Sequence, residues 1–112
     1  MPSPNDTGTP LQTLVFVAKI MNYIVEDTRE GETASHRLKQ AGLMQYIYMM
    51  HLNNQKISVT TLCERIQAPR QVVVDILKSL ELRDLVTYSA TLHESGRGRV
   101  HLYSLTPKAL SL

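Results

Sequence analysis

The apolar positions of the chain fall into segments whose spacing predicts several helices and one β-hairpin. The first segment, Leu11 to Val25, is apolar at too many positions for a single core-facing stripe, so we expect both sides of this helix to be buried. Thr9 and Pro10 predict its start, with Thr9 as the N-cap and Pro10 at the first helical position. The charged segment that reaches Gly31 predicts its end.

The second apolar segment predicts a helix that begins near Ser35 or His36 and runs to about Leu52. Its pattern leaves the register of the buried face ambiguous. The candidate core positions are Leu38, Ala41, Gly42, Met44 or Gln45, Ile47, Tyr48, Met49, Met50 and Leu52. The polar pair that follows Leu52 ends the helix.

Two shorter helices follow, joined by a short turn. Ser58 predicts the N-cap of a helix of about two turns, which stops before Pro69. Pro69 suits the first position of the next helix. The apolar positions of that helix form one inward face, made of Val73, Ile76, Leu77 and Leu80. The pair predicts a helix-turn-helix.

The last part of the chain predicts two strands, at 85–92 and 100–105, and then a short helical turn at Thr106-Pro107. The connection between the strands contains two glycines and two arginines, as expected for a hairpin with a basic tip. A helix-turn-helix followed by a hairpin is a winged helix. The predicted fold class is therefore mainly α with a small β-hairpin (α+β), with a long N-terminal dimerisation helix.

Length and composition fit one domain. We expect a flexible tail at 1–9 and a single winged-helix domain at 10–112, with the N-terminal helix in 10–32 and the body in 35–106. Apolar residues make up 43% of the chain and charged residues 20%, an ordinary globular composition. No run approaches the roughly 20 apolar residues of a membrane span, and no secretion signal is present. A cytoplasmic location is expected, and the single cysteine, Cys63, agrees with a reducing compartment.

From Gln40 to Leu110 the chain resembles the multiple-antibiotic-resistance regulator family of winged-helix transcription factors. The resemblance is carried by Ile57–Leu62, which opens the helix-turn-helix, by Leu80–Val86, which leads into the wing, and by Leu105–Lys108, which leaves it. It implies that the helix opening at Pro69 lies in the major groove of DNA and that the wing touches the minor groove or the backbone. It also implies that terminal helices hold a homodimer together.

The chain departs from this family at three places. Asp84 stands where a glycine usually precedes the first wing strand, so we expect a different helix cap. Asp75 stands where such regulators often carry a basic residue, which leaves the outer face of the recognition helix nearly neutral. The sequence ends at Leu112, without the long C-terminal helices that usually complete the family's dimer interface.

The recognition helix supplies three candidate DNA contacts. Arg70 and Gln71 lie in its first turn, where arginine can pair with guanine and glutamine with adenine. Lys78 lies on the same outward side. The alternative for the first two is a solvated helix start. Asp75 could accept a hydrogen bond from cytosine N4, but a plain surface role or pairing with Lys78 within the helix is expected instead.

The wing and the first helix of the helix-turn-helix supply the others. Arg97 and Arg99 can reach a narrow minor groove or the phosphates, unless the glycine-arginine tip is only a soluble turn. Thr60 and Thr61 can donate to a phosphate, or can simply cap their helix.

The N-terminal helix carries a candidate dimer contact. Leu14, Val17, Met21 and Ile24 have coiled-coil spacing and would suit a second subunit. In the alternative, this helix is the central core helix of a monomer.

Taken together, these features predict a sequence-specific regulator of transcription that binds double-stranded DNA as a homodimer. The main alternative is a protein-interaction winged helix, such as an anti-activator or assembly adaptor, favoured by the mild net charge of +2, by Asp75 and by the outward Val72 and Val74. A third reading is a ligand-responsive regulator whose cavity is lined by Tyr46, Tyr48, Met49 and Met50.

Catalysis and bound cofactors are not expected. The sequence has no phosphate-binding glycine loop, nucleophile elbow or paired carboxylates. Its four histidines lack the spacing of metal ligands, and Cys63 is expected to be a buried apolar side chain rather than a redox switch. The sequence identifies neither a protein partner nor a small-molecule inducer.

Overall fold

The computed structural model describes residues 10–92, 96 and 98–112. Its elements are α1 (Pro10–Glu26), α2 (Ala34–Leu52), α3 (Val59–Ile66), α4 (Arg70–Leu82), β1 (Val86–Leu92), β2 (Arg99–Leu105) and α5 (Pro107–Leu110). The fold is mainly helical with one antiparallel hairpin, which confirms the predicted winged-helix class. The tail at 1–9, including the expected cap Thr9, lies outside the described residues.

Helix α1 buries one narrow stripe and leaves the rest of its surface partly or fully exposed. Phe16, Ile20 and Ile24 recur every fourth residue and pack into the core, where the Phe16 ring stacks on Tyr48 with 3.7 Å between ring centroids. Within one chain only this side of α1 is covered, and burial of its other side by a second subunit stays a prediction. The large exposed apolar side chains of α1 are Leu11, Leu14 and Val15.

Helix α2 settles the register that the sequence left ambiguous. Thr33 caps it by accepting a hydrogen bond from the His36 backbone N–H. Its buried positions are Gln40, Ala41, Leu43, Met44, Ile47, Tyr48 and Met50. This stripe is wide because α2 packs on α1 and also on α4. Leu38, Gly42 and Met49, which the sequence placed among the core candidates, are exposed.

The helix-turn-helix forms as predicted, with one shift at the start of α4. Ser58 caps α3, its hydroxyl accepting a hydrogen bond from the Thr61 N–H. Helix α4 begins at Arg70, because Pro69 has an extended ψ of 146° and serves as the cap residue rather than the first helical one. The four predicted inward residues of α4, from Val73 to Leu80, are buried.

The wing is a regular hairpin that a third short segment extends. Val86 pairs with Leu105 at its base and Leu92 with Arg99 near its tip. The Tyr103 N–H donates to the Ile57 carbonyl over 2.8 Å, so the residue before α3 adds one bridge to the sheet. This bridge fixes the start of α3 against the wing.

Helix α4 ends in a Schellman motif whose left-handed residue is Asp84. The Asp84 N–H donates to the Glu81 carbonyl and the Leu85 N–H to the Leu80 carbonyl, while Asp84 has a φ of 58°. This is the position at which the resembling family has glycine. The expectation of a different cap is wrong, since Asp84 adopts the conformation that glycine usually takes there.

A buried arginine at the end of α4 holds three parts of the chain together. The Arg83 side chain has no exposed surface, and its two terminal nitrogens donate to both carboxylate oxygens of Glu32, over 2.9 and 2.8 Å. It also donates to Gln40 Oε1 over 2.7 Å and to the Asp27 carbonyl over 2.8 Å. Its Nε has no hydrogen-bond partner in the described structure and lies 3.7 Å from Asp27 Oδ2.

The same arginine is tied to the C-terminal segment through its backbone. Lys108 Nζ donates to the Arg83 carbonyl over 2.9 Å, and the Thr106 hydroxyl donates to the Asp84 carbonyl.

Hydrogen bonds from Arg83 lower the pKa of Glu32 from its usual 4.5 to about 2, against the opposing effect of burial. The pair therefore stays ionised across the physiological pH range.

The left-handed residue predicts a stabilising substitution. Asp84→Gly should raise the free energy of unfolding by about 0.5–1 kcal/mol, because glycine has no Cβ penalty at positive φ and a carboxylate at a helix C-terminus is unfavourable. Urea denaturation measures the change. Asp75→Gly, the same substitution at a helical position of α4, should instead destabilise by about 1 kcal/mol. A loss of stability in Asp84→Gly would contradict this explanation.

The Arg83–Glu32 pair predicts a second stability effect, with a defined pH dependence. Glu32→Gln should lower the free energy of unfolding at pH 7 by about 3 kcal/mol, because it removes the carboxylate that bonds both terminal nitrogens and leaves the buried guanidinium only the half-exposed Asp27 at 3.7 Å. Glu30→Gln, a neutralisation of an exposed neighbour, should change it by less than about 0.5 kcal/mol.

The pKa of Glu32 is lower in the folded than in the unfolded chain, so its contribution is fully present above pH 4.5 and is lost as the pH falls towards 2. The difference between wild type and Glu32→Gln should shrink over that interval in denaturation curves at pH 7, 4.5 and 3. A difference that does not change with pH would contradict the assignment.

Candidate nucleic-acid interface

Helix α4 presents its predicted contact residues to solvent. Since Val73, Ile76, Leu77 and Leu80 face the core, positions 71, 75 and 78 lie together on the opposite side. Gln71, Asp75 and Lys78 are all exposed, as is Arg70 at the first position of the helix. The outward face has one acidic and one basic side chain and is therefore neutral overall.

Three elements meet beside the start of α4. A cavity of about 240 Å³ is lined by the start of α3, by Arg70 and by the first half of β2. Its lining residues are Ser58, Val59, Thr60, Arg70, Val100 and His101. The structure thus brings two of the predicted contacts, Thr60 and Arg70, to one surface, although they are ten positions apart in the sequence.

Thr61 does not share this surface with Thr60. It is half-buried, its hydroxyl lies 2.9 Å from the Ser58 hydroxyl, and its N–H donates to the same oxygen. Its position agrees with the alternative that the sequence left open, local capping of α3. Thr60 is exposed and is the threonine available to a ligand.

His101 is a member of this surface that the sequence analysis did not select. Its exposed ring stacks on Tyr88 of β1, with centroids 4.7 Å apart, and Tyr88 also contacts Tyr103. Side chains alternate between the two faces of a strand, so His101 and Tyr103 share one face of the hairpin. This alternation is visible in the sequence and could have identified His101. The histidines were weighed only as metal ligands from their spacing, so this contact was missed.

The pKa of Tyr103 shows which charges lie near this part of the wing. Burial of the Tyr103 ring and the negative charge of Glu81 raise the pKa of its phenol, and the positive charge of Arg70 opposes the rise. Arg70 therefore acts electrostatically on the wing as well as on the start of α4.

Asp75 has a different partner from the one predicted. Gln71 Nε2 donates to Asp75 Oδ1 over 2.8 Å, one helical turn away, so the expected pairing of Asp75 with Lys78 is corrected. Val72 is exposed, whereas Val74 is half-buried and packs against the core. Only one of the two valines is therefore outward.

The basic wing tip is described only in part. Arg97 lies outside the described residues, and of Arg99 the structure gives the backbone, as the first residue of β2. Gly96 and Gly98 have φ values of 75° and 72°, which suit a tight connection. The predicted DNA contacts of Arg97 and Arg99 remain predictions.

The predicted dimer stripe is broken by the burial of its last residue. Leu14 is exposed and Val17 and Met21 are half-buried, but Ile24 has no exposed surface because it packs into this chain's own core. Including Ile24 was therefore wrong. The exposed apolar surface of α1 begins one turn earlier, at Leu11, and a cavity of about 430 Å³ lies between this helix and the C-terminal residues Leu110 and Leu112.

The four residues proposed to line a ligand cavity do not line one cavity. Tyr48 faces the space beside α1, and Tyr46 lies in a groove between α2 and α4. Met50 is fully buried and Met49 is exposed. The hypothesis of a shared cavity among them is corrected.

No group of three or more histidine, cysteine, aspartate or glutamate side chains in the part of the chain that the structure describes is placed to hold a metal ion. None of its helices is both long enough and apolar enough to cross a bilayer.

Comparison with known proteins yields two structural neighbours. No family model and no curated protein matches the sequence. The two solved structures are mutant forms of ZitR from Lactococcus lactis. Each is 24% identical to this chain, covers 92% of it with 70% of its own length, and has a TM-score of 0.49. Similarity at this level establishes neither a family nor a function.

Proposed function

We propose that this protein binds double-stranded DNA through α4 and the wing and regulates transcription. The observation that carries the proposal is the surface formed by Thr60, Arg70 and His101, which joins the starts of both helices of the helix-turn-helix to the wing. In winged helices these are the elements that face DNA.

The chemistry of this surface suits a backbone phosphate. Arg70 offers a permanent positive charge with several N–H donors, and Thr60 offers a hydroxyl donor. His101 can donate from its ring and becomes cationic when it is protonated. Arg70 was predicted to read a guanine, but its place beside Thr60 and β2 favours a phosphate contact that positions α4 in the major groove.

The remaining contacts extend from this anchor. Gln71 and Lys78 lie on the outward face of α4, where side chains reach the major groove. Arg97 and Arg99 would follow the wing towards the adjacent minor groove. Contacts of both kinds would make binding sequence-specific.

A protein-interaction role is the second candidate, and one feature favours it. A groove of about 340 Å³ between α2 and α4 is almost wholly apolar and is lined in part by Tyr46, Ile66 and Val72. An apolar protein interface should be insensitive to salt, whereas a surface that neutralises phosphates should lose affinity steeply as salt rises.

Replacing Arg70 tests the phosphate contact. Arg70→Ala should weaken binding to a short duplex about tenfold, because one charge-assisted contact is lost, and should reduce the slope of log affinity against log salt by about one. Fluorescence anisotropy at several salt concentrations measures both quantities. Lys19→Ala, which removes an exposed charge from α1, should leave both unchanged.

The loss should be similar for duplexes of different sequence. A loss confined to duplexes with one particular guanine would instead show that Arg70 reads a base. Binding of wild type that does not depend on salt, or no binding at low salt, would contradict the proposed function.

We also propose that the protein acts as a homodimer through the exposed apolar side of α1. Leu11, Leu14 and Val15 lie next to one another there, and the exposed Leu110 of α5 borders the same cavity as Leu11 and Val15. Contiguous exposed apolar surface of this kind marks interaction sites. A two-fold dimer would place two copies of α4 in successive major grooves and would favour a palindromic site.

Leu14→Glu tests the dimer. The exposed side chain makes the change tolerable in the monomer, while two charges opposed across an apolar interface should shift the protein from dimer to monomer. Light scattering coupled to size exclusion measures the mass. Leu38→Glu, on an exposed leucine of α2, should leave the mass unchanged. A monomeric wild type would contradict the proposal.

A further inference from the structure

We infer that Asp75 is a positioning residue that makes Gln71 select adenine in the major groove; the inference rests on the proposed DNA binding. Gln71 and Asp75 are exposed on the outward face of α4, one helical turn apart, with 2.8 Å between Gln71 Nε2 and Asp75 Oδ1. The pair therefore lies where a recognition helix meets base edges.

The acid fixes which way the amide points. A carboxylate only accepts hydrogen bonds, while the Gln71 amide has donors on nitrogen and an acceptor on oxygen. Turning the amide over would place Oε1 against Oδ1, two acceptors in contact. Asp75 thus favours the single orientation in which Nε2 faces back towards the helix.

This orientation leaves the groups that match adenine. After one N–H is donated to Asp75, Gln71 keeps its carbonyl oxygen and a second N–H. In the major groove adenine presents an N6 amine that can donate to Oε1 and an N7 that can accept from Nε2. Both partners are satisfied without breaking the hydrogen bond to Asp75.

The same pair disfavours guanine, which can accept only the one remaining N–H of Gln71. Guanine presents only acceptors, N7 and O6, in the major groove. Gln71 Oε1 is itself an acceptor and so cannot bond to either atom. The negative charge of Asp75 also repels the electronegative N7 and O6 of guanine. Asp75 therefore adds specificity at the expense of affinity, because it also repels the phosphates.

Conservative substitutions separate this role from a general charge effect. In Asp75→Asn, the new amide can turn its nitrogen towards Gln71, so that Gln71 turns over and presents both N–H groups to guanine. Asp75→Glu keeps an acceptor-only group within reach of Gln71. Asp84→Asn removes the same charge at the end of α4, where asparagine tolerates the positive φ of 58°.

The experiment selects bound duplexes from a pool with a randomised central segment, using wild type and these variants, and then measures Kd for single-base-pair changes. Wild type should prefer adenine to guanine about tenfold at one position. Gln71→Ala and Asp75→Asn should reduce this preference to less than about threefold, while Asp75→Glu and Asp84→Asn should keep it.

The outcomes separate the inference from the proposed function. If wild type selects a sequence and Asp75→Asn selects the same one with the same preferences, the inference is wrong and DNA binding stands. If wild type binds no duplex at low salt, both are wrong. Circular dichroism of each variant confirms that α4 remains folded, which is expected since both side chains are exposed.

Discussion

The ion pair between Arg83 and Glu32 is the constraint on which the arrangement of this domain depends. A guanidinium with no exposed surface lies at the end of α4 and bonds to both oxygens of Glu32, to Gln40 of α2 and to the backbone of Asp27. Taking such a charge out of water is costly unless nearly every donor finds a partner. Glu32, Gln40 and Asp27 supply these partners when the α1–α2 connection and the end of α4 lie in this relative position.

This constraint bears directly on the candidate interface. The start of α4 carries Arg70 and Arg83 follows its end, so the anchored end and the packed inward face of α4 together fix where Arg70 lies. The bridge from Ile57 to Tyr103 ties the start of α3 to the wing, and together these contacts hold Thr60, Arg70 and His101 around one cavity. The Arg83 network thus supports the surface without contributing a contact residue to it.

The sequence predicted those features of the fold that depend on residues close together in the chain. The caps Ser58 and Thr106, the four-residue inward face of α4 and the order of the elements are consequences of nearby residues, and the sequence predicted the elements that they produce. What it missed depends on distant ones. Ile24 was placed in a dimer stripe because the position of α2, which decides which side of α1 is covered, is not visible in the sequence of α1. The Arg83–Glu32 pair was missed because its partners are 51 residues apart.

The interface shows the same division. The exposure of Arg70 and Gln71 follows from the periodicity of α4, but the approach of His101 depends on the strand register and on the Ile57 bridge. The pairing of Gln71 with Asp75 lay within reach of sequence reasoning, since the two are four positions apart, yet Lys78 competed for the same acid. Structure was needed to choose between them.

The most direct test of DNA binding through α4 and the wing is an amide chemical-shift titration of the ¹⁵N-labelled protein with a short duplex at low salt. The largest shifts should cluster at Thr60, Arg70, Gln71 and His101 and should diminish as salt is added. Shifts confined to α1 or to the groove between α2 and α4, or no shifts at all, would contradict it.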